Sequence, residues 1–160
     1  EIMKTIFSTF LIIAVLVSCN CQKATTSPSN LAANETMKQT QEMPILEYEA
    51  MSRGFYQKIT ITNGKAILNS GRNSKPIAFD ISNEDLVKLA ELYSKVNKNG
   101  LKDLKDPTQK RFYDGAPIAN FKIVDGEKTY QTVDFDGGFP PAEIKEIVEK
   151  VIEVTQKEVK

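Results

Sequence analysis

Apolar residues recur at every second position in several short stretches of this chain, which is typical of β-strands with one buried face. In the clearest stretch, residues 55–62, the side chains of Phe55, Ile59 and Ile61 share one side. We therefore expect the Phe55 ring in the core, where truncation to alanine costs about 3–5 kcal/mol. The same kind of pattern predicts further strands at residues 46–51, 65–69, 77–81, 116–124 and 128–135.

Two glycine-containing turns join these strands into hairpins. Asn63-Gly64 and Asp125-Gly126 are dipeptides that suit tight turns, because such turns require a positive φ angle. The strand after each turn is predicted to return antiparallel to the strand before it. The strand at 128–135 is expected to carry Val133 and Phe135 into the core.

The apolar spacing changes to three and four residues in two later stretches, which predicts amphipathic helices. The first begins at Ser82, a good N-cap residue, with Asp85 three positions on as a weak capping box. The second begins at Pro140-Pro141, since proline is tolerated at the first helical position. The expected buried positions are Leu86, Leu89, Ala90, Tyr93 and Val96 in the first helix, and Ile144, Ile147, Val148, Val151 and either Val154 or Thr155 in the second.

The order hairpin, helix, hairpin, helix predicts an α+β fold for residues 45–160. We expect an antiparallel sheet built from two β-hairpins with two helices packed on one face, in the order ββαββα. About 115 residues are enough to form a single core. The only cysteines, Cys19 and Cys21, precede this region, so the domain is expected to fold without an internal disulfide.

The N-terminal region has the pattern of an export signal. An apolar run at residues 6–17 follows Met3-Lys4, and it is shorter than the roughly 20 residues that cross a membrane as a helix. A basic residue before a short apolar run is typical of a signal peptide. Residues 16–19 read Leu-Val-Ser-Cys, which resembles the lipobox of bacterial lipoproteins. The resemblance implies that residues 1–18 are removed and that Cys19 is acylated, which anchors the chain to a membrane.

Residues 19–44 are predicted to be the lipidated cysteine and a flexible tether. They are rich in Gln, Thr, Ser, Asn, Ala and Lys, and such a segment buries too little apolar surface to offset its ordering entropy. A tether of this length has a typical reach of roughly 25–30 Å. A short helix at residues 31–41 is the alternative. The expected location is the cell envelope, with the chain lipid-anchored to a bacterial membrane, at the outer membrane or at a periplasmic face.

Composition argues against several classes of function. The chain has 21 basic and 21 acidic residues, and this neutral balance argues against a nucleic-acid partner. It has no histidine, the commonest general base near neutral pH. It also lacks a Gly-x-Ser-x-Gly nucleophile motif. We therefore expect neither an enzyme nor a bound cofactor.

Asp134 and Asp136 form the one acidic pair that resembles a metal site. They are two residues apart, on one side of a predicted strand and beside Gly137-Gly138, and calcium prefers such clusters of oxygen ligands. Two solvated aspartates at the end of a strand are the alternative. Because the following residues supply no further ligands, we expect no metal.

The segment around Arg53 is the candidate binding surface for a protein partner. Arg53, Phe55 and Tyr56 combine residue types that are frequent in binding hot spots. Since Phe55 is expected in the core, Arg53 and Tyr56 remain as the candidate binding residues. A second possibility is the lysine-rich stretch 95–111, which would contact anionic lipid headgroups at about 1 kcal/mol per basic residue.

Residues 46–156 resemble two kinds of small domain. They are similar to uncharacterised domains of bacterial lipoproteins in which an Arg-Gly-Phe-type loop starts a hairpin and a proline-bounded helix ends the domain, as at residues 53–55 and 140–156. This resemblance implies a membrane-anchored envelope protein with a non-catalytic binding domain. The ββαββα order and residues 52–55 also resemble the emfourin-type inhibitors of thermolysin-like metalloproteases, whose pattern has glycine where Arg53 stands. The second resemblance implies a protease inhibitor.

Overall fold

The computed structural model describes residues 43–156, which form an antiparallel sheet covered on one face by two helices. Four strands precede the first helix: β1 (Ile45–Met51), β2 (Tyr56–Thr62), β3 (Lys65–Asn69) and β4 (Ile77–Asp80). Three follow it: β5 (Ile118–Asp125), β6 (Lys128–Gln131) and β7 (Phe135–Asp136). The helices are α1 (Asn83–Ser94) and α2 (Lys145–Gln156), and short 3-10 helices occupy Lys98–Asp103, Lys110–Tyr113 and Ala142–Ile144. The predicted α+β fold is confirmed.

The sheet has β1 near its centre. Its strands lie in the order β4-β3-β2-β1-β5-β6, and β7 pairs with the beginning of β5. Both neighbours of β1 are antiparallel to it, with Leu46 opposite Ile61 on β2 and Ile123 on β5. Because alternate side chains point to opposite faces, these three residues belong to the same buried face. All of the described residues belong to one unit of the chain.

The core lies between this face and the helices. Its largest fully buried side chains include Phe121 and Phe135 from the sheet and Leu89 from α1. The residues that the pattern predicted for α2, from Ile144 to Val154, are buried, and Thr155 is buried as well. The opposite face of the sheet is more polar. There the Glu47 carboxylate forms ion pairs with Lys58 at 3.3 Å and with Lys122 at 2.8 Å.

The first helix begins as predicted but presents a slightly different stripe. The Ser82 hydroxyl oxygen accepts a hydrogen bond from the Asp85 N–H at 3.1 Å. Leu89 and Leu92 are buried, whereas Ala90 is exposed. The expected burial of Ala90 is wrong because the contact line follows Asp85, Leu89 and Leu92, and one further residue turns a side chain by about 100° around the helix.

The expected inward position of Val133 is also wrong, since its side chain is exposed. Thr132 lies opposite Phe121, where its N–H donates to the Phe121 carbonyl at 3.0 Å, while Phe135 pairs with Ala119. Thr132 and Phe135 are three residues apart, whereas their partners on β5, Phe121 and Ala119, are only two residues apart. Such an extra residue shifts which side chains face the core, as in a β-bulge. Phe135 is buried because of this extra residue and not through unbroken alternation from Val133.

The antiparallel strands place their connections at two ends of the sheet. The chain enters β1 at Met43 and Pro44, and the same end holds the turns at Asn63-Gly64 and Gly126. The other end, which we call the loop end, is formed by residues 52–55, 70–76, 110–117 and 137–139. At about 3.3 Å per residue, the seven residues of β1 separate the two ends by roughly 20 Å. No helix within residues 43–156 is long and apolar enough to cross a membrane.

Candidate binding site

The connection between β1 and β2 is a tight exposed loop at the loop end. The Ser52 N–H donates to the Phe55 carbonyl at 2.8 Å, which closes the loop. Arg53, Gly54 and Phe55 are all exposed. The loop therefore offers a cation and an aromatic ring to solvent side by side.

The expectation that Phe55 is a core residue is wrong, because 44% of its surface is exposed. Phe55 has the parity of Ile59 and Ile61, but β2 begins at Tyr56. Whether a position in a strand is odd or even determines on which face of the sheet its side chain lies. Burial also requires neighbouring strands on both sides of the residue. Phe55 lies one residue outside the paired ladder and lacks that cover. It joins Arg53 and Tyr56 as a candidate binding residue.

Tyr56 lies at the edge of the same loop and is half-buried. Desolvation and the adjacent Glu49 carboxylate raise the pKa of the Tyr56 hydroxyl, while the positive charge of Arg72 opposes this shift. Arg72 comes from the β3–β4 connection. A second arginine, Arg72, therefore lies near the predicted pair Arg53 and Tyr56.

An open groove of about 220 Å³ lies between these two connections. Its lining residues include the two arginines Arg53 and Arg72, the aromatic residues Phe55 and Tyr56, and the serines Ser52 and Ser70. No acidic residue lines it. We call this surface the arginine groove. A second open groove of about 350 Å³ lies between Arg53 and residues 114–117 and includes Asp114.

Sequence reasoning missed Arg72. It lies in a polar connection that has no periodicity, and nothing nearby in the sequence marks it. The signal that was available is topological: in two consecutive hairpins, the connections before β2 and after β3 lie at the same end of the sheet. A reading of the strand order would have brought residues 52–56 and 70–76 together.

Asp134 and Asp136 do not form the cation site that their spacing resembles. Asp134 is exposed, whereas Asp136 is completely buried. The alternative of two solvated aspartates is therefore also wrong for Asp136. Within residues 43–156 there is no group of three or more acidic, histidine or cysteine side chains that would hold a metal ion.

Asp136 instead fixes the segment before β5. Its carboxylate accepts hydrogen bonds from the Thr108 hydroxyl, the Lys110 N–H at 2.5 Å and the Arg111 N–H at 3.1 Å. It also forms an ion pair with the Arg111 guanidinium at 3.0 Å, and Asp106 binds the same guanidinium nitrogen. Each carboxylate oxygen takes part in two of these contacts, Oδ2 with Thr108 and Lys110 and Oδ1 with Arg111, so both oxygens are occupied. We call this arrangement the Asp136 cluster.

The carboxyl group of Asp136 has a depressed pKa. Burial alone would raise the pKa of Asp136, but hydrogen bonds from Thr108, Arg111 and Lys110 together outweigh burial and lower it to about 2. A carboxylate that accepts several such bonds is strongly favoured in its charged form. Asp136 is therefore ionised at neutral pH, so its hydrogen bonds and its ion pair with Arg111 are available there.

The segment held by Asp136 displays aromatic rings. Phe112 and Tyr113 are 67% and 84% exposed. The Arg111 guanidinium lies 4.6 Å from the centre of the Phe112 ring, and the Lys110 ammonium lies 3.6 Å from that of Phe139. Such cation–π contacts orient exposed rings. The loop end thus presents the rings of Phe55, Phe112, Tyr113 and Phe139 together with basic side chains.

The alternative surface, the lysine-rich stretch 95–111, is divided among internal ion pairs. Lys95 contacts Glu91 at 2.8 Å, and Lys98 contacts Asp125 at 2.5 Å. Arg111 belongs to the Asp136 cluster. Half of the six cations in the stretch therefore already have carboxylate partners, which reduces the charge that it can offer to lipid headgroups.

The predicted lipidation residue, Cys19, lies outside the described residues, as do the signal peptide and nearly all of the predicted tether. No protein-family model, no curated protein and no solved structure was found to match this chain.

Proposed function

We propose that the chain is a lipid-anchored binding protein of the bacterial cell envelope. Acylated Cys19 holds it at a membrane, and residues 45–160 bind a protein partner through the loop end without catalysis. The absence of histidine from the sequence and the engagement of Asp136 by protein donors support a binding role over catalysis. The partner is a protein of the same compartment.

One observation carries this proposal. The exposed rings and the arginines without ion pairs gather at the loop end, while the chain enters the sheet at Met43, at the opposite end. Exposed aromatic residues and arginine are the types most enriched in binding hot spots. A predicted flexible tether of roughly 25–30 Å, followed by a sheet about 20 Å long, would allow the loop end to reach a partner away from the lipid headgroups.

Photo-crosslinking in cells tests this proposal. We place a photoreactive phenylalanine analogue at Tyr113, at the loop end, or at Glu127, in the exposed turn at the opposite end. We expect position 113 to give a discrete protein adduct and position 127 to give none. Equal adducts from the two positions, or adducts from position 127 alone, would contradict the proposed surface.

A second candidate function is inhibition of a thermolysin-like metalloprotease. It is favoured by the exposure of Arg53, Gly54 and Phe55 in a closed loop, because an inhibitory loop must enter the protease cleft. In this case the tip residues would carry most of the affinity.

A protease assay separates the two functions. Under the binding proposal, we expect equimolar protein to leave hydrolysis of a peptide substrate by a thermolysin-like protease unchanged. Inhibition that is weakened by more than about 1 kcal/mol in Arg53→Ala and Phe55→Ala would replace the binding proposal with the inhibitor function. Phe55→Ala is a usable probe, since truncation of a ring that is 44% exposed is expected to cost about 1–2 kcal/mol of stability, less than the truncation of a fully buried ring.

A further inference from the structure

We propose that the arginine groove binds a carboxylate side chain of the protein partner, with Arg53 and Arg72 as the cations that hold it. This inference rests on the proposed function and names the chemistry that the loop end recognises. The partner segment is acidic, with an aspartate or glutamate that enters the groove.

The use of arginine in this chain supports the assignment. Among its 21 basic residues are 18 lysines and only three arginines, Arg53, Arg72 and Arg111. Arginine presents a planar fork of donors that matches a carboxylate, whereas lysine acts as a point charge. Arg111 binds Asp106 and Asp136 within the molecule. The other two arginines line one groove.

Neither arginine of the groove is ion-paired within the described part of the chain, although the Glu49 carboxylate lies beside Tyr56 and Asp114 lines the second groove together with Arg53. Arg53 and Arg72 form no ion pair with any residue between 43 and 156, and no acidic residue lines the groove. Elsewhere on the sheet, cations near one another share a carboxylate, as Lys58 and Lys122 share Glu47. A carboxylate from outside would supply the same compensation to the two arginines.

The remaining lining suits an amino-acid side chain. Ser52 and Ser70 also line the groove, and a serine hydroxyl can donate a hydrogen bond to a carboxylate oxygen. The exposed ring of Phe55 offers apolar surface to the methylene groups next to that carboxylate. The groove therefore combines charge, hydrogen-bond donors and apolar contact, as binding sites for acidic side chains require.

The size and position of the groove favour a protein over the other sources of an anion. Its volume of about 220 Å³ lies below the roughly 300–1,000 Å³ typical of pockets that enclose a small molecule, and it is open. It therefore admits one or two side chains of a larger partner. The groove also lies at the opposite end of the sheet from Met43, where the tether joins, which disfavours the headgroups of the anchoring membrane.

The test measures binding of the full-length chain, purified in detergent, to a labelled peptide. The peptide reads Gly-Glu-Phe-Glu-Gly-Glu with an amidated C-terminus, and its matched control has glutamine at each glutamate. Fluorescence anisotropy is recorded for the wild-type chain and for Arg53→Gln, Arg72→Gln and Lys128→Gln. Lys128 is an exposed lysine at the opposite end of the sheet, so its substitution removes the same charge elsewhere.

We expect the acidic peptide to bind the wild-type chain about tenfold more tightly than the glutamine peptide, since hydrogen bonds to charged groups are the stronger ones. Arg53→Gln and Arg72→Gln should each weaken binding by about tenfold, and Lys128→Gln should leave it nearly unchanged. Equal binding of the two peptides, equal losses in all three variants, or no binding of the acidic peptide at millimolar concentration would overturn the inference.

Two further arms distinguish the other sources of an anion. In the first arm, a soluble form cut before residue 43 is shown by circular dichroism to be folded, and its binding to vesicles of phosphatidylglycerol is compared with its binding to vesicles of phosphatidylcholine. In the second arm, inorganic phosphate competes with the peptide for the full-length chain. Arginine-dependent binding to phosphatidylglycerol, or displacement of the peptide by phosphate at equal concentration, would overturn the assignment to a carboxylate. Photo-crosslinking distinguishes a failure of this inference from a failure of the proposed function. Adducts from position 113 that persist in the two arginine variants would sink this inference alone, whereas the absence of loop-end adducts in the wild type would sink the proposed function.

Discussion

We expect Asp136→Asn to lower the free energy of unfolding by about 3 kcal/mol, the low end of the range for breaking a buried ion pair. The substitution removes the charge that faces Arg111 and turns an amide N–H₂ toward groups that are themselves donors, Thr108 and the Lys110 N–H. Arg111 keeps its contact with Asp106, so the loss stays below that of an isolated buried cation. Urea unfolding followed by circular dichroism measures the difference.

The matched control is Asp134→Asn, two residues away and exposed. Surface substitutions of this kind usually change stability by less than about 0.5 kcal/mol. Equal losses in the two variants would mean that Asp136 does not hold the segment before β5, and the account of how the aromatic rings are displayed would fail.

The same substitution should alter acid stability. The pKa of Asp136 is lowered from its ordinary value of 3.8 to about 2 in the folded protein. A group with a depressed folded pKa contributes stability that is present above its unfolded pKa and is lost as pH falls toward its folded pKa. The wild-type chain should therefore lose its advantage over Asp136→Asn between about pH 4 and pH 2. Urea midpoints that stay a constant distance apart across this window would contradict the assigned role.

The second large effect is expected at Cys19. Cys19→Ala should abolish incorporation of a fatty-acid analogue and leave the unprocessed precursor, since the lipobox resemblance implies that this thiol is the acylation site. Metabolic labelling and membrane fractionation measure both effects. Cys21→Ala is the matched control, because the second cysteine lies two residues on and should not be needed for labelling. Labelling of Cys19→Ala at the level of the wild-type chain would rule out the lipid anchor at this residue.

Patterns within one element were enough to predict most of the fold. The stripe of α2 is confirmed because helical periodicity depends only on residues three and four apart, and the N-cap at Ser82 depends on Asp85 alone. The errors arose where a residue's environment is set by another strand. The exposure of Val133 results from one extra residue opposite β5, and that of Phe55 results from the point at which β2 begins.

The candidate site was predictable only in part for the same reason. Arg53 and Tyr56 are adjacent in sequence and belong to one hot-spot pattern, so they were found together. Arg72 comes from another connection, and the donors that occupy Asp136 lie 25 to 28 residues before it in the chain. Interactions across such separations are created by the topology of the sheet, and no local spacing encodes them.

We propose that the loop end, at the opposite end of the sheet from Met43, is the surface that binds. The most direct measurement compares photo-adducts from positions 113 and 127 in cells that produce the full-length chain. We expect a discrete protein adduct from position 113 and none from position 127. Adducts from position 127 alone, or the same adducts from both ends, would contradict it.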